Sequence, residues 1–406
     1  MTFIMKNKEK IRLIIFSSIY FLTIAILLST NYYFFKSSNT SIKQINTLSA
    51  KEIVLKKDLN HLTTKFSETE KALIDLQNQD QLKINQNLTE EIKNINTTYN
   101  SSVKTYENLL DLKSISKKTE NFDKTFAEIL SLLSEKNYIS ASALLAQLDK
   151  DIKTESDKIS SSFVIPQNVK AVDAAPGSGY SQQKVTTDVG DFLVDVLAAD
   201  LNSTRVMVDT ASDSTCGNDC PVLSLSTFIS RSGGFAGING PYFCPASYPA
   251  CSGKKNSFDT LLMNKNKVYF NSDNNIYSNV PAVIFTGNSA RFVGASSQWG
   301  RDTGVDAVIA SQPMLLSGGN VTFSGDSESK RASKGNRSFI GNKGNTVYIG
   351  VVHNASVYDV AQVLKKMGLE NALNLDSGGS TAFYTNGHFV AGPGRDLPFG
   401  IVLVHK

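Results

Sequence analysis

Two glycine-dense strings carry the residue types that could do chemistry. The first is Gly237-Ile238-Asn239-Gly240-Pro241-Tyr242-Phe243, and the second is Asn374-Leu375-Asp376-Ser377-Gly378-Gly379-Ser380-Thr381. A short apolar run, an acid and two nearby glycines suggest a carboxylate at a strand end, with room for a substrate to approach the backbone. A tight turn with an Asx cap is the plainer reading of the same residues. No Walker lysine follows, and the GxSxG, metal-binding His/Glu and dinucleotide strings are missing. Of the histidines His61, His353, His388 and His405, only His353 offers a plausible base, so a serine–histidine triad has thin support.

Cys216, Cys220, Cys244 and Cys251 complete the chemically notable set. An even number of closely spaced cysteines predicts two disulfides in an oxidising compartment, near-neighbour pairing being the simplest. A four-cysteine zinc site is the alternative, but the spacings are loose for it. No cofactor is predicted. The Asp/Asn-rich loops leave a bound calcium open, although DSTCGND at 213–219 lacks EF-hand spacing.

These residues sit among short β-type runs: FLVDVLAA, RVMVDT, KVYF, AVIF, AVIA, TVYIGVV and FGIVLV. Turn residues separate them, as in SGGN, GNKGN and TNGH. VYDVAQVLKKMG reads as an amphipathic helix with Val357, Val360, Leu364 and Met367 on one face and Gly368 as its stop. LSLSTFISRSGG reads as a second helix. Residues 181–406 are therefore expected to form an α+β domain with a large mixed or antiparallel sheet.

The rest of the chain differs sharply. The glycines begin at Gly177, the prolines at Pro166 and the cysteines at Cys216. Between Arg12 and Lys36 lies an uncharged run starting LIIFSSIYFLTIAILL, preceded by Lys6, Lys8, Lys10 and Arg12. A helix of this length covers the roughly 30 Å hydrocarbon core of a bilayer. The basic flank predicts a cytoplasmic N-terminus and an extracytoplasmic remainder. The trailing STNYYFFK suits an interfacial aromatic belt better than a cleavage site, so an uncleaved anchor over 1–36 is favoured over a signal peptide. The whole-chain charge of +4 comes from this flank and gives no support for nucleic-acid binding.

Residues 37–162 read as a helical stalk. Ile45, Glu52, Leu59, Phe66 and Leu73 fall at heptad position a, and Leu48, Leu55, Leu62, Thr69 and Leu76 at d, apolar except for Glu52 and Thr69. A self-associating coiled coil is expected there, with a loosely helical tether as its competitor. The register breaks near 80–87, and a helical pair is expected over 122–159 with its turn at 134–137. Residues 163–180 read as a flexible linker. No chemistry is expected before residue 180.

The last 220 or so residues resemble the phosphodiester glycosidase family, which includes N-acetylglucosamine-1-phosphodiester α-N-acetylglucosaminidase. Five strings carry the resemblance, in the family's order: AGINGPYF, QPMLL, NRSFIG, NLDSGGST and GRDLPFGIVLV. Ser377 stands where the family has its first glycine after the aspartate. The resemblance implies hydrolysis of a bond between a sugar's anomeric carbon and a phosphodiester oxygen. It makes Asp376 the catalytic carboxylate and Arg337 and Arg395 the phosphate ligands, since a guanidinium fork suits phosphate oxygens. Asn239, Gly240, Asn374, Gly378, Gly379, Ser380 and Thr381 become substrate-binding candidates. A second carboxylate is open among Asp209, Asp302, Asp306 and Glu328, and retention or inversion with it. The expected partners are a glycan or sugar phosphodiester, the membrane and further copies of the stalk. A non-catalytic glycan-binding module and a structural coiled-coil envelope protein are the rival readings.

Overall fold

The computed structural model describes residues 2–273, 277–300 and 304–406. The chain divides into two compact units, Met1–Lys93 and Asn94–Lys406.

In the first unit one helix, α1, runs unbroken over Thr2–Gln77. Its N-terminal part is long and apolar enough to cross a membrane, with a mean hydropathy of 2.2 in its most apolar window. Farther along, Leu48, Leu55, Leu59, Leu62, Phe66, Leu73 and Leu76 are all exposed. The helix ends at Gln77 and α2 begins at Asp80, so the heptad break falls at an interruption of the helix.

The second unit starts within α2 (Asp80–Ile115) and continues through α3 (Glu120–Ser134) and α4 (Tyr138–Ser161). α3 and α4 form the helical pair read from the sequence, and Asn137 caps α4 by accepting the Ser140 amide at 3.2 Å. Leu109 and Leu112 of α2 pack with Ile129, Leu133, Ala141, Leu145, Leu148 and Ile152 in one apolar cluster. The division at Asn94 groups the second half of the stalk with the domain that follows, across the expected boundary at 162. The expected flexible linker is also held. Lys170–Ala171 pairs in parallel with the strand Gly179–Thr187. The Gln183 side chain donates to the carbonyls of Val172 and Ala174 at 2.8 and 3.0 Å.

The remainder is α+β, with three sheets. The largest has eight strands, in the order Lys170–Ala171, Gly179–Thr187, Gly190–Asp200, Thr346–Ala355, Gly335–Lys343, Asn371–Asn374, Met314–Ser317 and Asn320–Val321. All its pairings except the first are antiparallel. A second sheet orders His388–Ala391, Phe383–Thr385, Ala236–Asn239, Phe399–His405 and Thr204–Thr210. A third orders Tyr269–Phe270, Leu262–Met263, Ala307–Ala310, Ala282–Thr286 and Ser289–Val293.

One apolar core joins the three sheets, with Ile340, Ile349 and Leu373 from the first, Ile238, Phe383 and Ile401 from the second, and Val283 and Ile309 from the third. Three short helices complete the domain: α5 (Leu225–Arg231), α6 (Ser329–Ala332) and α7 (Val357–Lys366). α7 is the predicted amphipathic helix. A Ser356–Asp359 capping box starts it, and Val360 and Leu364 pack with Phe339 and Val352 of the large sheet. The two disulfides are Cys216–Cys220 and Cys244–Cys251, the near-neighbour pairing.

Candidate active site

The strand Asn371–Asn374 ends in the large sheet, and the chain turns through Asp376 into a short helical turn, Gly378–Ser380. NLDSGGST forms this turn, and each of the other four strings reaches it. From the first, the Asn239 amide donates to the Asp376 carbonyl at 2.7 Å, and Gly240 accepts the Asp376 amide at 3.0 Å. From the second, Pro313 accepts the Asn374 amide at 3.1 Å, while the preceding Ser311 hydroxyl donates to the Asn374 carbonyl at 2.5 Å. From the third, Ser338 accepts the Leu375 amide at 2.9 Å, and its hydroxyl donates to Asn239 Oδ1 at 2.7 Å. From the last, the Arg395 amide donates to the Gly379 carbonyl at 2.9 Å. The strings are the clamps that fix one carboxylate.

That carboxylate is buried, and burial pushes Asp376 up from the ordinary carboxylate value to about 6. The Ser380 side chain, the Ser377 amide and the charge of Arg395 pull it down, whereas Asp111 adds to the rise. The Ser377 amide donates to Asp376 Oδ1 at 2.8 Å. A carboxyl titrating near neutrality beside a fixed guanidinium is equipped for acid–base or nucleophilic work.

Arg395 supplies that guanidinium. A β-carbon on residue 379 would stand 2.3 Å from its Nη2, so a side chain there would displace the guanidinium. Arg395 Cζ lies 5.1 Å from the centre of the Tyr248 ring. Its Nη1 is buried and makes no hydrogen bond among the described residues. An unpaired buried guanidinium nitrogen is costly, and an anionic ligand oxygen would satisfy it.

Arg337 is placed differently. It is buried, and its Nε and Nη2 donate to the carbonyls of Ala355, Lys330 and Ser333 at 3.1, 2.7 and 2.5 Å. Burial lowers its pKa, opposed by the charges of Tyr242 and Asp376. It braces the strand Gly335–Lys343 and contributes positive charge to the site, with most of its fork already committed.

Several expected ligands also turn inward. Asn239 donates to Asp376 and Gly240, and its Oδ1 accepts from Ser338 and the Ala382 amide. Its hydrogen-bonding capacity is thus used within the protein, which corrects the expectation that it meets sugar hydroxyls. Gly240 is glycine because Phe399 packs on it: a β-carbon there would stand 2.1 Å from the ring. The Asn374 side chain donates to the Tyr242 hydroxyl at 2.7 Å, while its Oδ1 is buried without a partner. The Thr381 hydroxyl donates to the Asn336 carbonyl at 3.3 Å. Gly378 has φ +61° and open space where a side chain would go. Ser377, the departure from the family pattern, has an extended backbone (φ −144°) that any residue adopts. Its hydroxyl donates back to the Leu375 carbonyl at 3.2 Å, so the serine fits without disturbing the turn.

The described candidates for a second carboxylate already have partners. Asp209 is paired with Arg231 and Lys265, Asp306 sits by Arg205 and Lys267, and Glu328 caps α6. Asp302 lies outside the described residues. His353, the one candidate base, has Nε2 2.6 Å from Asp195 and Nδ1 3.0 Å from Asn336, so both ring nitrogens are occupied. Among the described residues no group of three His, Cys, Asp or Glu is arranged to hold a metal ion.

Sequence reasoning missed three residues. Tyr242 is partly buried and its phenol is pushed up to about 12, first by desolvation and then by the Asp376 charge; its place in the GINGPYF string was the available signal. Tyr248 lies inside the loop closed by Cys244–Cys251, and such a closed loop is a natural presenter of a side chain. Asp111 had no signal, since it lies on α2, where no chemistry was expected. Tyr248 donates its hydroxyl to the Asp111 carboxylate, which ties α2 to this loop.

Residues 236–404 match the model of the phosphodiester glycosidase family. Among solved structures, the catalytic domain of zebrafish N-acetylglucosamine-1-phosphodiester α-N-acetylglucosaminidase is similar at 14% identity and a TM-score of 0.43, covering 59% of this chain and 87% of that one. A hypothetical protein from Synechocystis is similar at 12% identity and a TM-score of 0.39, covering 56% of this chain. The match spans 62% of the Synechocystis chain, less than two thirds of its length. No curated protein matches.

Proposed function

We propose that the protein is a membrane-anchored glycosidase that hydrolyses a sugar-1-phosphodiester in glycans of the cell envelope. The observation that carries this reading is the juxtaposition of Asp376, titrating at about 6, with Arg395, whose buried Nη1 is unpaired. Arg395 receives the phosphate oxygens, and Arg337 adds positive charge. A departing phosphate is already a stable anion and needs little help from a general acid. Asp376 therefore acts ionised, as nucleophile or as base for water, at the anomeric carbon.

The apolar N-terminus of α1 serves as the anchor, with its basic flank in the cytoplasm. The two disulfides fit an extracytoplasmic domain. The exposed leucine stripe from Leu48 to Leu76 serves self-association of the stalk.

The test is incubation of the full chain, in detergent, with N-acetylglucosamine-1-phosphodiesters and related sugar-1-phosphodiesters. Release of free sugar that depends on Asp376 supports the reading. Binding without release would make the domain a glycan-binding module, and neither would leave a structural envelope protein.

A further inference from the structure

We propose that Tyr248 and Asp111 are positioning residues that hold Arg395 ready for an anionic ligand, so that the helical cluster is part of the site. This deepens the phosphodiester reading and rests on it.

The Arg395 main chain is fixed through the Gly379 carbonyl, and its guanidinium packs on the Gly379 backbone. The Tyr248 ring is its other marked contact, 5.1 Å from Cζ. A ring at that distance attracts the cation through its π face and restricts the side chain's torsions. A guanidinium ordered before its ligand arrives loses less entropy on binding.

Tyr248 is itself held from two directions. Its loop is closed by Cys244–Cys251, and its hydroxyl donates to Asp111 on α2. One turn earlier on the same face of α2, Glu107 Oε1 accepts the Ala250 amide of the same loop at 3.2 Å. Lys330 joins them: its Nζ is 3.6 Å from Asp111, 3.7 Å from Glu107 and 4.8 Å from the Tyr248 ring centre. A carboxylate on the phenol also places more negative charge on the ring, which strengthens its hold on Arg395. Asp111 thus acts on the site through Tyr248, from a helix that precedes the sheets in sequence.

The experiment follows the rate at which phenylglyoxal modifies Arg395 in the full chain without ligand, read by peptide mass spectrometry, with Arg337 as internal reference. In Tyr248→Leu and Asp111→Ala, Arg395 should be modified about fivefold or more faster while Arg337 keeps its wild-type rate. Asp111→Glu should restore protection. On a sugar-1-phosphodiester, the same two variants should raise KM about tenfold, in line with the loss of a desolvated cation–π contact, and leave kcat within about twofold. Unchanged Arg395 modification would overturn the proposal. A parallel rise at Arg337 would also overturn it, because it would mean general loosening, as would a fall in kcat at constant KM. If the wild type turns over no such substrate, the glycosidase reading fails, and the modification pattern still decides whether Tyr248 and Asp111 position Arg395.

Discussion

The side-chain amide of Asn239 holds the main-chain carbonyl of Asp376 at 2.7 Å across 137 residues of sequence. The same side chain accepts from Ser338 and from the Ala382 amide. One buried amide therefore ties together the strand Ala236–Asn239, the strand Gly335–Lys343 and the Asp376 turn. Asn239→Ala would strand several buried polar groups at once. The expected loss is about 2–4 kcal/mol of stability, seen as a lower melting temperature, with activity lost alongside it. A variant that melts like the wild type would show that the turn holds without this clamp.

Asp376→Asn should do the opposite, abolishing activity while the fold survives. Removing a catalytic base or nucleophile costs about 10²–10⁴ in rate or more. The raised carboxyl also gives a stability prediction with a definite sign. The folded protein favours the neutral form, so this stabilisation is complete below the unfolded value and is lost as pH rises through about 6. The Asn variant should melt with the wild type near pH 4 and above it at pH 7, by at most about 3 kcal/mol. Thermal melts across that range decide it.

Activity should run the other way with pH. An ionised Asp376 is the working form, so turnover should fall as pH drops through about 6. A rate profile measured from pH 4.5 to 8 on a sugar-1-phosphodiester reads the limb directly. A rate that instead falls as pH rises through 6 would assign Asp376 to proton donation.

The two arginines should part company. Arg395→Lys keeps the charge but loses the fork, so KM should rise with little loss of stability. Arg337→Lys loses donations to three carbonyls, so it should cost about 2–4 kcal/mol of stability. Kinetics and melts on both variants separate the roles, and equal behaviour would remove the distinction.

Much of this was legible in the sequence. Short β-type runs such as FLVDVLAA and FGIVLV became strands, and the 3.6-residue spacing of Val357, Val360 and Leu364 became α7. Asp376 stood out through the family resemblance, since on the residues alone an Asx-capped turn was the plainer reading. The direction of neighbouring side chains could not be read the same way. Asn239 and Arg395 occur in equally dense strings, yet one points into the protein scaffold and the other leaves a nitrogen unpaired. That difference depends on strands that meet only in three dimensions. Asp111 and the packed second half of the stalk were hidden for a related reason. A helix contacting a domain through a few polar residues has the same periodicity as one facing water.

The strand Phe399–His405 lies between Ala236–Asn239 and Thr204–Thr210, in the interior of its sheet. It is the latest of the domain's strands in sequence, and the Arg395 loop immediately precedes it. During synthesis, strands that emerge far earlier must wait for it before that sheet can close. Pairings between segments this distant in sequence slow the folding of such a domain. A nascent or truncated chain lacking this strand has neither a closed sheet nor an assembled site.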